Sequence, residues 1–123
     1  MGFGYEDLKV WREAVDFADT VLAMTEDLDL PRKHYRLIDQ LESAATSIAA
    51  NIAEGKGRNS KKEFVQFLYV ARGSLYEAMT FLEIFKRRAW ISDEEFCALE
   101  SHALEIVRML KGLINGIYRT MEK

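Results

Sequence analysis

The chain has one cysteine and one proline in 123 residues. Cys97 has no partner for an internal disulfide, and MGFGYEDLKVW has neither a basic n-region nor an apolar h-region, so a cytoplasmic location is expected rather than secretion. A single proline with seven glycines argues against a strand-rich fold with many turns and favours long helices. No apolar run approaches the roughly 20 residues needed to cross a bilayer, because charge interrupts each within a few positions; no membrane partner is expected. A dominant charge of one sign is missing as well. With 17 basic and 20 acidic residues the net charge is −3, so any contact with nucleic acid has to come from a local patch. Catalytic motifs are equally sparse. The chain contains neither the Glu-x-x-His pair of dinuclear bundle enzymes nor a Gly-x-Ser-x-Gly nucleophile elbow. His34 and His102 lie on separate elements, and Cys97 has no basic neighbour in sequence to lower its pKa. These absences predict no enzyme activity, no metal, no cofactor and no small-molecule substrate.

What remains is a chain 49% apolar and 30% charged, with the length of one domain. Leu8, Trp11, Ala14, Val15, Ala18, Val21, Leu22 and Leu28 recur at the spacing of one helical face, with Asp7 placed to cap its start. Pro31 disfavours helical geometry at Leu30 and marks the first connection. A second helix carries Leu37, Ile38, Leu41, Ala45, Ile48 and Ile52 and is expected to close at Gly55 in a left-handed conformation. Ser60 and Glu63 form a capping-box pattern that opens a third helix running to about Arg88, with Phe64, Phe67, Leu68, Ala71, Leu75, Ala78, Leu82 and Phe85 as its core stripe. Ser92 and Glu95 open a fourth, with Phe96, Leu99, Ala103, Ile106, Val107, Leu110, Ile114 and Ile117. Four helices with short connections predict an all-α, antiparallel up-down-up-down four-helix bundle over residues 1–123.

The third helix is apolar around most of its girth. At roughly 100° per residue, Val65, Tyr69 and Tyr76 fall on one flank of its stripe and Val70 and Phe81 on the other. Such a helix is buried on more than one side, either by a slightly irregular bundle or by another copy of the chain; a homo-oligomer through Val65, Tyr69 and Tyr76 is the favoured reading. On the second helix, Gln40, Ser47, Asn51 and Glu54 form a polar stripe, read either as a network with Gln66, Ser74 or Glu77 or as half-exposed boundary positions.

The connection NIAEGKGRNSKKEF is the remaining candidate site. It is not a nucleotide P-loop, because Gly55 and Gly57 are too close together, Lys62 is followed by Glu63, and a helix precedes it. It does bring Lys56, Arg58, Lys61 and Lys62 together, with no acid among them, at a helix N-terminus whose free amides attract anions. Phosphate contact is the functional reading, and a solvated basic loop is the plain one. Alternating helices place this loop at the end opposite the connections at 31–36 and 86–92. A ring of parallel protomers would multiply it into a basic rim.

YEDLKVWREA, NIAEG and GRNSKKEFVQFLYVARGSLYEAMTFLEI, taken together, resemble the bacterial four-helix-bundle family associated with the intervening sequence of large-subunit ribosomal RNA genes. The resemblance implies a cytosolic ring, typically a homopentamer, without enzymatic activity. It also implies a likeness to the nucleic-acid-binding accessory proteins of diversity-generating retroelements. By position, the family's Asn-Ile-Ala-Glu-Gly motif falls on Asn51 to Gly55, its arginine on Arg58 and its Ser-Lys-Lys-Glu-Phe segment on Ser60 to Phe64. Where the family would carry Gln-Leu-Arg-Arg-Ala-Ala, this chain has Gln40-Leu41-Glu42-Ser43-Ala44-Ala45, which removes two cations and weakens the RNA-binding expectation.

Overall fold

The computed structural model describes residues 2–121. A 3-10 turn, Gly4–Asp7, leads into four helices: α1 (Lys9–Glu26), α2 (Tyr35–Lys56), α3 (Lys61–Arg87) and α4 (Asp93–Met121). Each helix packs on its neighbours in chain order, and α4 returns to α1. Pairings across the seams run in opposed order, as antiparallel helices require. Glu13 of α1 meets His102 of α4, whereas Met24, further along α1, shares a cleft with the earlier residues Glu95 and Leu99. Tyr69 of α3 reaches Tyr118 of α4, while Glu83 lies near Phe96. The predicted separation of the ends follows, with the His34 and Trp90 rings in tilted contact at 4.7 Å where the first and third connections meet.

One shared core fills the bundle, its largest enclosed side chains including Phe17, Phe85, Leu41, Ile48, Ile52, Leu68, Leu75 and Leu82. Enclosing one such leucine stabilises the fold by about 2 kcal/mol. The α2–α3 contact is the most extensive, and at its close end the buried Gly55 of α2 lies against Phe64 and Phe67 of α3.

Several sequence expectations shift. Asp7 lies inside the 3-10 turn, so the N-cap of α1 is Leu8, which offers no side-chain cap. The stripe of α1 is rotated, with Val10, Phe17 and Met24 in the core and Val15 exposed. Phe64 and Phe67 sit at the edge of the α3 core, and Val65 takes the enclosed position. Gly55 does not close α2 in a left-handed conformation. The helix continues to Lys56 with Gly57 as C-cap at φ −79°, and Gly55 is buried. A β-carbon there would stand 2.6 Å from Phe67 Cβ, so glycine is required by close helix approach. The left-handed residue is instead Ala89, φ 59°, after α3. Its N–H donates to the Lys86 carbonyl and that of Trp90 to the Phe85 carbonyl, closing α3 in a Schellman motif. The Trp90 ring packs 5.1 Å from that of Phe85 across the same turn.

The Ser92–Glu95 capping box is complete: Glu95 N–H donates to Ser92 Oγ at 3.0 Å, and Ser92 N–H to Glu95 Oε1 at 2.9 Å. At the start of α3 only one half is formed, from Glu63 N–H to Ser60 Oγ at 3.1 Å.

Candidate functional site

The basic connection lies where α2 ends, α3 begins and the last turns of α4 come alongside. Lys56, Arg58 and Lys61 line a cleft of about 330 Å³ together with Asn59 and Ser60, over an apolar floor that includes Phe64 and Leu113. Local chain geometry explains the convergence. Arg58 N–H still donates to the Gly55 carbonyl as α2 unwinds, and Ser60 then caps α3, so the cations are held within one short turn.

The four cations differ in what they touch. Arg58 donates to Glu54 Oε1 at 2.8 Å and stacks 4.8 Å over the Phe67 ring, which fixes its position and offsets part of its charge. Lys56 stands 5.8 Å over Phe64. Lys61 and Lys62 are exposed on the first turn of α3 and have no ion pair among the described residues. Lysines in a first helical turn oppose the helix dipole, so an anion at this end would relieve local repulsion as well as bind free amides. The N-terminal 3-10 turn also packs against α2, where a β-carbon on Gly4 would stand 3.7 Å from Lys56 Cε.

The polar stripe of α2 forms no network with α3 among the described residues. Asn51 donates to its own helix at the Ser47 carbonyl, 2.8 Å away; Glu54 holds Arg58; Gln40 is exposed. These residues lie along the boundary of α2, and their nearest partners are local. The cross-helix polar contact involves a residue outside that stripe: buried Thr25 of α1 donates from Oγ1 to the carboxylate of Glu42. Glu42 occupies one of the two positions where arginine was expected, and here it ties α2 to α1.

Of the proposed interface residues, Val65 is 2% exposed and belongs to the monomer's own core cluster, because the bundle encloses the first turns of α3 on that flank while leaving Tyr76 further along it open. It is withdrawn from the surface. Tyr69 is half-buried, with its hydroxyl 3.3 Å from that of Tyr118. Tyr76 is 52% exposed, as is Val70 on the opposite flank, whereas Phe81 packs partly into the core. Leu104 and Ile84, outside the apolar stripes of the sequence, are also exposed and flank the α3–α4 seam with Tyr76.

His102 Nε2 lies 2.8 Å from Glu13 Oε1, joining α4 to α1. Cys97 is exposed on α4. Among the described residues no group of three or more His, Cys, Asp or Glu side chains is arranged to hold a metal, and no helix is long and apolar enough to cross a membrane.

A short four-helix bundle with a cationic cleft at one end defines the class of protein. The chain matches the family described as 23S rRNA-intervening sequence protein over residues 6–112 and belongs to it. Among solved structures it is similar to a crystal structure of a protein with unknown function from the S23 ribosomal protein family from Bacteroides thetaiotaomicron VPI-5482. The two are 26% identical with a TM-score of 0.79, over 85% of this chain and 97% of that one. Comparison with curated proteins returns no match.

Proposed function

We propose that this protein is a non-enzymatic, ring-forming bundle of the cytoplasm that contacts nucleic-acid phosphates, RNA foremost, through the connection between α2 and α3. The carrying observation is the convergence of Lys56, Arg58 and Lys61 on one cleft beside the N-terminus of α3, with Lys62 on the same turn. Family membership supports the ring, which the resemblance makes a homopentamer, and the exposed Ile84 and Leu104 supply a surface for it. A ring multiplies a weak contact per protomer into a basic rim.

Filter binding of a single-stranded RNA tests the reading. With about four phosphate contacts, raising salt from about 50 to about 200 mM should weaken binding by on the order of fiftyfold. Replacing Lys56, Arg58, Lys61 and Lys62 by glutamine should abolish both the binding and its salt dependence. Absence of binding by the parent protein at low salt would sink the proposal.

A second reading, a scaffold that presents its polar ends to a protein partner, draws on the net charge of −3 and on Glu42 in place of a cation. Copurification of one specific protein without nucleic acid would favour it.

A further inference from the structure

Three clefts follow one another along the seam between α3 and α4. The one nearest the start of α4 is lined by Glu83 and Glu100 with Arg87, and the next, largely apolar, again carries Glu100. The third, of about 400 Å³, differs in charge. Its polar lining comes from Tyr69, Arg72, Tyr76, Lys111 and Asn115, over Val107 and Ile114, and no carboxylate takes part.

Arg72 is half-buried and held from two sides, its guanidinium carbon 4.9 Å from the Tyr69 ring centre and 5.9 Å from that of Tyr76. Its N–H donors have no hydrogen-bond acceptor and no ion pair among the described residues, and the same holds for Lys111. Arg58, Lys86, Arg87 and Arg108 each have a glutamate within one turn, whereas Lys61 and Lys62, exposed on the basic connection, share the lack of an ion pair but not the half-buried setting of Arg72. Two cations sharing a cleft without an anion repel one another, and a bound oxyanion removes that cost while taking several charge-assisted hydrogen bonds. Asn115 adds an amide donor. The Tyr118 hydroxyl, raised above the usual tyrosine range by its hydrogen bond with Tyr69, keeps its proton at neutral pH and holds the Tyr69 end of the cleft in place.

The cleft volume is that of a small-ligand site, and half-exposed Tyr76 offers a ring face beside the cations. We propose that this α3–α4 cleft binds a phosphorylated small molecule of nucleotide size. The phosphate sits on Arg72, Lys111 and Asn115, and a planar ring lies against Tyr76. Arginine suits the role because its planar fork is pre-oriented by the tyrosines while its donors remain free. The site is distinct from the basic connection, which uses other cations.

Equilibrium dialysis with adenosine monophosphate, adenosine and inorganic phosphate tests it. The monophosphate should bind, and Arg72→Gln and Lys111→Gln should each weaken it by about tenfold or more. Lys9→Gln, on the exposed start of α1, should leave binding unchanged. Tyr76→Leu should reduce binding of the monophosphate toward that of inorganic phosphate. Light scattering on each variant separates ligand binding from assembly. Loss of binding at unchanged particle mass supports the site, whereas loss accompanied by a change in mass at Lys111→Gln assigns that residue to assembly and overturns it. Absence of monophosphate binding, or loss on Lys61→Gln in place of Arg72→Gln, overturns it too. Equal affinity for phosphate and the monophosphate removes the ring contact at Tyr76.

Discussion

A methyl group on Gly55 would meet Phe67 Cβ at 2.6 Å and Phe64 Cδ1 at 3.0 Å, and a β-carbon cannot swing aside as a side-chain tip can. Gly55→Ala gains about 1 kcal/mol of helix propensity, but overpacking of this kind costs about 1–3 kcal/mol or more. A net loss of about 1–2 kcal/mol in urea unfolding is expected. Gly73 and Gly112, mid-helix with nothing within 4 Å of a β-carbon, show the opposite balance, and Gly73→Ala should stabilise by about 1 kcal/mol. A gain at Gly55→Ala would show that α2 and α3 can separate at no cost. The glycine was visible in the sequence, but its reason was not. A helix-stop glycine and a close-approach glycine look alike until the opposing helix is in place.

At the scale of the element, starts and stops were largely legible because they are written locally. Ser60 and Ser92 cap α3 and α4 as their spacing indicated, and Ser92→Ala should lower stability by about 1 kcal/mol in thermal unfolding. An unchanged midpoint would mean that water replaces the serine fully. Helix phase was less legible. Phe64 and Phe67 were expected in the core ahead of Val65, and Val15 in place of Phe17, yet burial runs the other way. Where apolar residues cover most of a helix, periodicity marks a wide arc, and the neighbouring helices decide which part of it is enclosed. The basic connection was readable for the same local reason as the caps. Its pairing with Glu54 was within reach too, since that carboxylate lies one helical turn before Arg58.

For the whole molecule, the proposed ring draws on the exposed Ile84 and Leu104 beside the α3–α4 seam. If it does, Ile84→Ser combined with Leu104→Ser should lower the particle mass in light scattering at micromolar protein without lowering far-UV helicity. Unchanged mass would move the interface elsewhere, with Val70 on the opposite flank the next surface to test. The cross-seam contacts of this scale had no counterpart in the sequence reading. Thr25 with Glu42 and His102 with Glu13 each join different helices, and Arg72 and Lys111 share a cleft from different helices, with no local spacing relating the residues.

Element type, the breaks at Pro31 and Ser92, the capping serines and the cationic connection were determined by the sequence alone, since each depends on neighbours within a turn or two of chain. Tertiary structure decided which face of each helix is enclosed, why residue 55 has no side chain, and that one cleft of the α3–α4 seam brings Arg72 and Lys111 together with no carboxylate in its lining. Those outcomes depend on distances between helices, which the order of residues along any one helix does not contain.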